Sequence, residues 1–222
     1  MMPKKKPDLA RIYGKLRERF GFLDWWPGDT RDEVVIGAIL TQQTSWKNVE
    51  KAIANLKRAG KLSLKAIART DTRTLERLIR PSGFYRQKSR VLKRVSSYIC
   101  GKYSGLNAFF DKRADALRGE LLSLRGIGRE TADSIALYAA DKPLFVIDAY
   151  TRRTMHRIDP SVAEDAGYDS LREYFQGGLG EDVALYQDFH AQFVELGKRY
   201  CKAKPVCGGC PLDGVCAYRR SR

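Results

Sequence analysis

One aspartate, one turn built on two glycines and four clustered cysteines are the residues of this 222-residue chain whose types and spacing can do chemistry. Asp148 stands behind the apolar run Leu144-Phe145-Val146-Ile147 and ahead of Ala149-Tyr150-Thr151-Arg152-Arg153, where a helix should start. A carboxylate in that setting has two uses. It caps the helix by accepting from the first-turn amides, or it offers negative charge to a substrate that turns positive as it reacts. Asp133, Asp141 and Asp159 lack the setting. Upstream, one apolar helix pattern (Leu117, Leu121, Leu122) stops at Leu124-Arg125-Gly126-Ile127-Gly128, and a second (Ala132, Ile135, Ala136, Ala139) starts at once. So short a connection needs backbone conformations that a Cβ forbids, which the two glycines are expected to supply. They also let another chain approach closely. The amides of the turn and of the next helix's first turn then face outward at the helix's positive end, where a phosphate is the natural guest.

The cysteines follow the pattern Cys201-x5-Cys207-x2-Cys210-x5-Cys216, with Pro205, Pro211 and Gly208-Gly209 between them. That describes a compact loop closing on one centre. Four thiolates bind zinc tetrahedrally, but zinc sites usually pair two close C-x-x-C knuckles, and only Cys207/Cys210 has that form. A [4Fe-4S] cluster also takes four thiolates and suits the looser single loop better. Lys202, Lys204, Arg219, Arg220 and Arg222 surround the loop with positive charge. Cys100 stands alone in a helix pattern and is expected to be a small buried hydrophobe.

The elements that must position these groups read as helices throughout. Leu9, Ile12, Tyr13, Leu16 and Phe20 predict an amphipathic helix over 8–20, ended by Gly21. Phe22-Leu23-Asp24-Trp25-Trp26-Pro27 follows as an aromatic loop. Its adjacent tryptophans point in different directions, so either one packs in the core while the other wedges between helices, or they line a pocket for a flat ligand. Thr30-Arg31-Asp32-Glu33 is a capping box, and Val34 to Leu40 is apolar on nearly every side, which marks a central helix. It ends in Thr41-Gln42-Gln43-Thr44-Ser45-Trp46, whose polar amides need partners. Helices are expected at 47–58, 63–69, 73–80 and 86–100, with a break at Pro81-Ser82-Gly83 before Phe84-Tyr85-Arg86-Gln87-Lys88. Residues 104–111 read as a loop, 113–122 as the first hairpin helix, and 149–158, 167–176 and 182–200 as later helices. No stretch alternates with period two, so the fold class is all-α. Forty-one Lys+Arg against 26 Asp+Glu leave a charge of +15, which suits a polyanionic partner or plain solubility. No apolar run is long enough to span a membrane. The start, MMPKKKPDLA, reads as a basic tail without the apolar core of a signal peptide, so a cytoplasmic, nucleoid-associated chain is expected.

The combination L-x-G-I-G-R-x-T-A followed by V-I-D-A resembles the helix-hairpin-helix and catalytic aspartate of the endonuclease III superfamily of DNA glycosylases. The resemblance implies a two-lobed all-α glycosylase fold, one lobe 30–141 and the other 1–29 with 142–222, with DNA across the cleft between them. It implies that Asp148 is catalytic, that Arg125, Gly126, Ile127, Gly128, Arg129 and Thr131 grip DNA, and that Gln42 and Gln43 fill the gap left by an extruded base. Phe84 or Tyr85 becomes a second wedge, beside the positive charge of Arg86 and Lys88. The cysteine spacing is similar to the family's C-terminal cluster, whose first interval is usually one residue longer, and the cluster's expected role is to fix a DNA-contacting loop.

One departure bears on the reaction. Bifunctional members carry a lysine after G-x-G-R whose amine forms a Schiff base with the sugar; here that place is Glu130, which cannot. Trp25-Trp26-Pro27, G-A-I-L-T-Q-Q-T-S-W with Trp46, and G-I-G-R-E-T-A-D-S-I-A-L-Y-A resemble the endonuclease III-like 3-methyladenine DNA glycosylases. That resemblance implies a base pocket of Trp25, Trp26, Trp46 and Glu130, in which electron-rich rings attract a cationic purine. The expected protein is a monomeric, monofunctional glycosylase acting on double-stranded DNA that holds a damaged base, with a [4Fe-4S] cluster. The rivals are a uracil or thymine mismatch specificity, an oxidised-pyrimidine glycosylase with lyase activity, and a DNA-binding module in which Asp148 only caps a helix.

Overall fold

Helix starts in this chain are written in short polar side chains, and the computed structural model uses them as caps. It describes residues 7–162 and 166–220; the basic N-terminal tail and Arg222 lie outside the described residues. Asp8 caps α1 (Leu9–Phe20), and Thr30 caps α2 (Arg31–Leu40) by accepting from the Glu33 amide at 3.2 Å. Glu33 completes the box one residue further out, accepting from the Asp29 amide at 3.2 Å. The helices that follow are α3 (Trp46–Arg58), α4 (Leu64–Arg69), α5 (Thr72–Ile79), α6 (Tyr85–Lys102), α7 (Leu106–Phe110), α8 (Ala114–Ser123) and α9 (Arg129–Ala139). The last four are α10 (Ala149–Ile158), α11 (Tyr168–Leu179), α12 (Val183–Arg199) and α13 (Ala217–Arg220), and the described residues contain no strand.

Two sequence expectations change. Residues 104–111 are not all loop, because Phe109 and Phe110 are buried and draw the chain into the single turn of α7. Cys100 is exposed: Ile99 beside it points into the core, and one residue along a helix rotates the next side chain about 100° away.

The chain divides into two compact units. One is Trp26–Lys142; the other takes the N-terminal stretch up to Trp25 and everything from Pro143 onward. In the first, α2 is the central helix, with every residue from Glu33 to Leu40 buried, and α9, α6 and α3 pack around it. Trp26 belongs to this unit because it lies on α2 where Gly37 leaves room; a Cβ at Gly37 would come within 3.3 Å of its Nε1. In the second unit α12 packs against α10 and α1. Phe145, Phe175, Phe189 and Phe193 form its aromatic core, with Phe145 stacked on Phe175 at 4.2 Å and Phe189 on Phe193 at 4.8 Å. The extended segment Leu144–Ile147 threads this core fully buried and delivers Asp148 to the start of α10.

The α10–α12 contact depends on Gly197, where an added Cβ would sit 2.1 Å from Tyr150 Cδ1. Gly197→Ala should therefore force the two helices apart and cost about 1–3 kcal/mol, as overpacking of a filled interior does. Chemical denaturation measures this, and an unchanged midpoint would show that the contact yields without strain.

Candidate active site and nucleic-acid interface

Asp148 is the N-cap of α10, and its two oxygens have separate surroundings. Oδ1 accepts from the Thr151 amide at 2.7 Å, while Oδ2 lies 3.7 Å from His190 Nε2 on α12. Both side chains are nearly enclosed, 13% and 6% exposed. Burial pushes the Asp148 carboxyl up, but the His190 imidazole and the Thr151 amide pull the other way and hold it below the usual carboxylate range. The cap thus occupies one oxygen of the group and leaves the other facing His190. His190 went unnoticed in the sequence, because a histidine within an apolar helix face carries no signal of what the fold sets opposite it.

Trp26, Trp46 and Tyr138 form an aromatic group in the Trp26–Lys142 unit: Trp26 meets Trp46 edge-on at 5.3 Å and Tyr138 at 5.4 Å. Trp25 belongs to the other unit, where Lys198 Nζ lies 5.1 Å from its ring centre. Trp25 therefore already carries a cation on its face, unlike the expectation of an open ring waiting for a cationic base. Glu130 is exposed in the first turn of α9.

In the hairpin, Gly126 has φ +101°, and a Cβ there would meet Val91 Cγ2 at 2.4 Å. Gly128 does not share that need. Its φ of −93° suits any residue, and an added Cβ would meet no described atom within 4 Å, so its contribution is an open approach to α9. No side chain caps α9 at Gly128, and Arg125 and Arg129 flank the turn exposed. Ile127 and Thr131 are buried, so what the turn offers outward between its two arginines is its backbone. The hairpin is braced from behind: Arg94 Nη1 donates to the Arg125 carbonyl at 2.5 Å, and Gln42 Nε2 donates to the Gly126 carbonyl and Thr131 Oγ1, each at 3.0 Å.

That bracing separates residues that the sequence left equivalent. Gln42 is a strut to the hairpin; Gln43 is exposed, on left-handed backbone at φ +53°. Phe84 is likewise left-handed at φ +43° and 60% exposed, whereas Tyr85 is half-buried between Arg80 and Arg86. Arg86 is exposed and available to a phosphate. Lys88 is not, contrary to its expected place beside a phosphate. It is 2% exposed, donates to the carbonyls of Leu40 and Ser82 at 2.7 Å each, and is pushed down by burial to a pKa of about 8.

Cys201, Cys207, Cys210 and Cys216 are all half-buried free thiols. Burial first, and then the neighbouring Cys201, Cys216 and Cys207, push Cys210 up to about 11, and Cys216 rises for the same reasons. Arg157 of α10 donates to Cys201 Sγ at 3.3 Å and to the Lys202 and Ala203 carbonyls. Among the described residues, no three His, Cys, Asp or Glu side chains are grouped to hold a single metal ion.

The depressed Asp148 carboxyl has a consequence for stability. Its native value lies below the unfolded value of about 3.9, so ionised Asp148 stabilises the fold at neutral pH, and that contribution is lost as pH falls through the native value. Asparagine caps as well as aspartate. Wild-type unfolding free energy minus that of Asp148→Asn should hold steady near neutrality and shrink below about pH 4. A difference independent of pH would show that the native carboxyl is not held ionised.

Residues 36–177 match the family model described as HhH-GPD superfamily base excision DNA repair protein. A protein of Methanocaldococcus jannaschii, described provisionally as a DNA repair glycosylase, is 46% identical over 94% of this chain and 95% of its own length. Endonuclease III of Thermotoga maritima is 30% identical over 85% of this chain and 84% of its own. Among solved structures, the H. pylori 3-methyladenine DNA glycosylase bound to 1,N6-ethenoadenine aligns with TM-score 0.78 and 31% identity, covering 87% of this chain and 98% of that one. An endonuclease III–DNA complex aligns with TM-score 0.80 at 22% identity, covering 96% of each chain, and shows the common fold. With the hairpin, the capped aspartate and these matches together, the chain belongs to the HhH-GPD superfamily of base excision repair DNA glycosylases, in its endonuclease III-like branch.

Proposed function

We propose that this enzyme is a monofunctional DNA glycosylase that extrudes a damaged base from double-stranded DNA and removes it by hydrolysis, with an alkylated purine as its substrate class. The observation that carries the reading is the buried, ionised Asp148, with one oxygen on the Thr151 amide and the other facing His190. As the base leaves, the C1′–N bond breaks with its electron pair going to the base, and positive charge builds at the sugar. The Asp148 carboxylate stabilises that charge and accepts the proton of the water whose oxygen bonds to C1′. An alkylated purine is already cationic, so its bond needs little further activation.

Division of labour follows the two units. The Trp26–Lys142 unit supplies the grip: the hairpin backbone with Arg125 and Arg129, Arg86, and Gln43 and Phe84 as the residues that enter the duplex. Trp26 and Trp46 serve the base, in keeping with the 31% identical H. pylori relative whose structure holds an ethenoadenine. Glu130 stands where lyase members carry their imine-forming lysine, which supports hydrolysis without strand cleavage.

The four cysteines are assigned to a [4Fe-4S] cluster. Their thiols share one loop, where burial and neighbouring sulfurs oppose ionisation of Cys210 and Cys216 unless a cationic centre compensates, and Arg157 on Cys201 Sγ adds positive charge. Such a cluster would pin the loop that follows α12; the proton and charge steps remain with Asp148.

A panel of single-lesion duplexes tests the reading. 3-Methyladenine should be among the best substrates, the abasic strand should stay intact until heated in alkali, and borohydride should trap no covalent complex. A trapped adduct would overturn the assignment from Glu130, and release of uracil or mismatched thymine with none of alkylated purines would overturn the substrate. Protein purified without oxygen should be yellow-brown with about four irons per chain; stoichiometric zinc without iron would contradict the cluster.

A further inference from the structure

Lys88 is a buried charge for which the chemistry above has no use. Two forces oppose a lysine at this place. An ammonium 2% exposed has lost its water, and the first turn of α6 is the positive end of a helix dipole. What holds it is a pair of 2.7 Å hydrogen bonds to carbonyls on two different segments. Leu40 is the last residue of α2 and leads directly into the turn that carries Gln43. Ser82 closes the 3-10 turn Arg80–Ser82, two residues before Phe84. Gln43 and Phe84 are both exposed, and both sit on left-handed backbone that side chains with a Cβ rarely adopt. Residues kept in that conformation need surroundings that fix the backbone around them, and the carbonyls just upstream of each converge on one ammonium.

We propose that Lys88 is a positioning residue, a buried ammonium crosslink that fixes the separation of Gln43 and Phe84 so that both enter the duplex together when a base is extruded. The proposal rests on the base-extruding reading above. It assigns Lys88 no contact with DNA and no part in bond cleavage.

The test compares two duplexes that differ only in the need for wedging. One carries the best-released lesion opposite its normal partner; the other carries it opposite a stable abasic analogue, where no partner must be displaced. Lys88→Met keeps the length of the side chain and removes its donors. Single-turnover release by Lys88→Met should fall about tenfold or more on the paired duplex and little on the other, since extrusion from an intact stack is the step impaired. With 2-aminopurine beside the lesion, the fluorescence rise on binding should be lost in the variant. Equal slowing on both duplexes, or none on either, would overturn the proposal. If Lys88→Met does not fold, Lys88→Gln, whose shorter amide cannot bridge both carbonyls, is judged by the same readouts. A wild-type protein that releases no base from any duplex would overturn the glycosylase reading instead. The aminopurine signal, which needs extrusion and not cleavage, then decides on Lys88 alone, and an unchanged signal in the variant overturns it.

Discussion

A carboxylate cannot be buried as an anion unless something answers its charge. At Asp148 the answer comes from two helices: the amide of Thr151 in the first turn of α10, and His190 from the middle of α12. Much of this unit's architecture follows from bringing those helices to that separation. The apolar run Leu144–Ile147 anchors the chain ahead of the aspartate, the stacked phenylalanines fill the space below, and Gly197 lets Tyr150 of α10 lie directly on α12. Arg153 and Arg157 then tie the same helix to the cysteine loop, through the Cys201 carbonyl at 2.8 Å and the Cys201 sulfur at 3.3 Å. A shift of α10 would disturb the carboxylate and the cysteine loop together.

The Trp26–Lys142 unit solves a different problem, that of offering backbone donors without losing shape. A turn left with bare amides has no side-chain cap to stiffen it, so its rigidity has to come from behind. Arg94 and Gln42 provide it through the carbonyls on the turn's reverse side, and Val91 fills the space left by the missing Cβ of Gly126. The same device recurs at Lys88, where a buried donor holds carbonyls so that the exposed face stays free. Polar groups that look available in the sequence are in several cases spent on bracing.

Helices were legible in the sequence wherever apolar residues recur at helical spacing, and α10 falls on the expected residues. The capping box at Thr30 and the setting of Asp148 could be read because both are local patterns. What could not be read is what depends on distant partners. Lys88 looked like surface charge because only the fold brings the Leu40 carbonyl, forty-eight positions away, to it beside that of Ser82. His190 carries no sign of its partner, because only the fold sets its ring opposite Asp148. Cys100 looked buried by neighbourhood but lies one residue round from the core face, and Phe109 and Phe110 turned an expected loop into α7 through burial alone. Gln42 and Gln43 are adjacent and chemically identical, and only the fold ties one to the hairpin and leaves the other exposed.

The proposed chemistry makes charge on Asp148, and not its shape or its cap, the driver of base release. Asp148→Asn removes the charge and keeps volume and capping ability. Single-turnover release from a lesion-bearing duplex, measured beside binding to the same duplex, separates the two. That chemistry predicts that release falls by about a hundred- to a thousandfold, the scale on which a lost transition-state interaction acts, while duplex affinity stays within a few-fold. Release at a near wild-type rate would contradict it and reduce Asp148 to a helix cap.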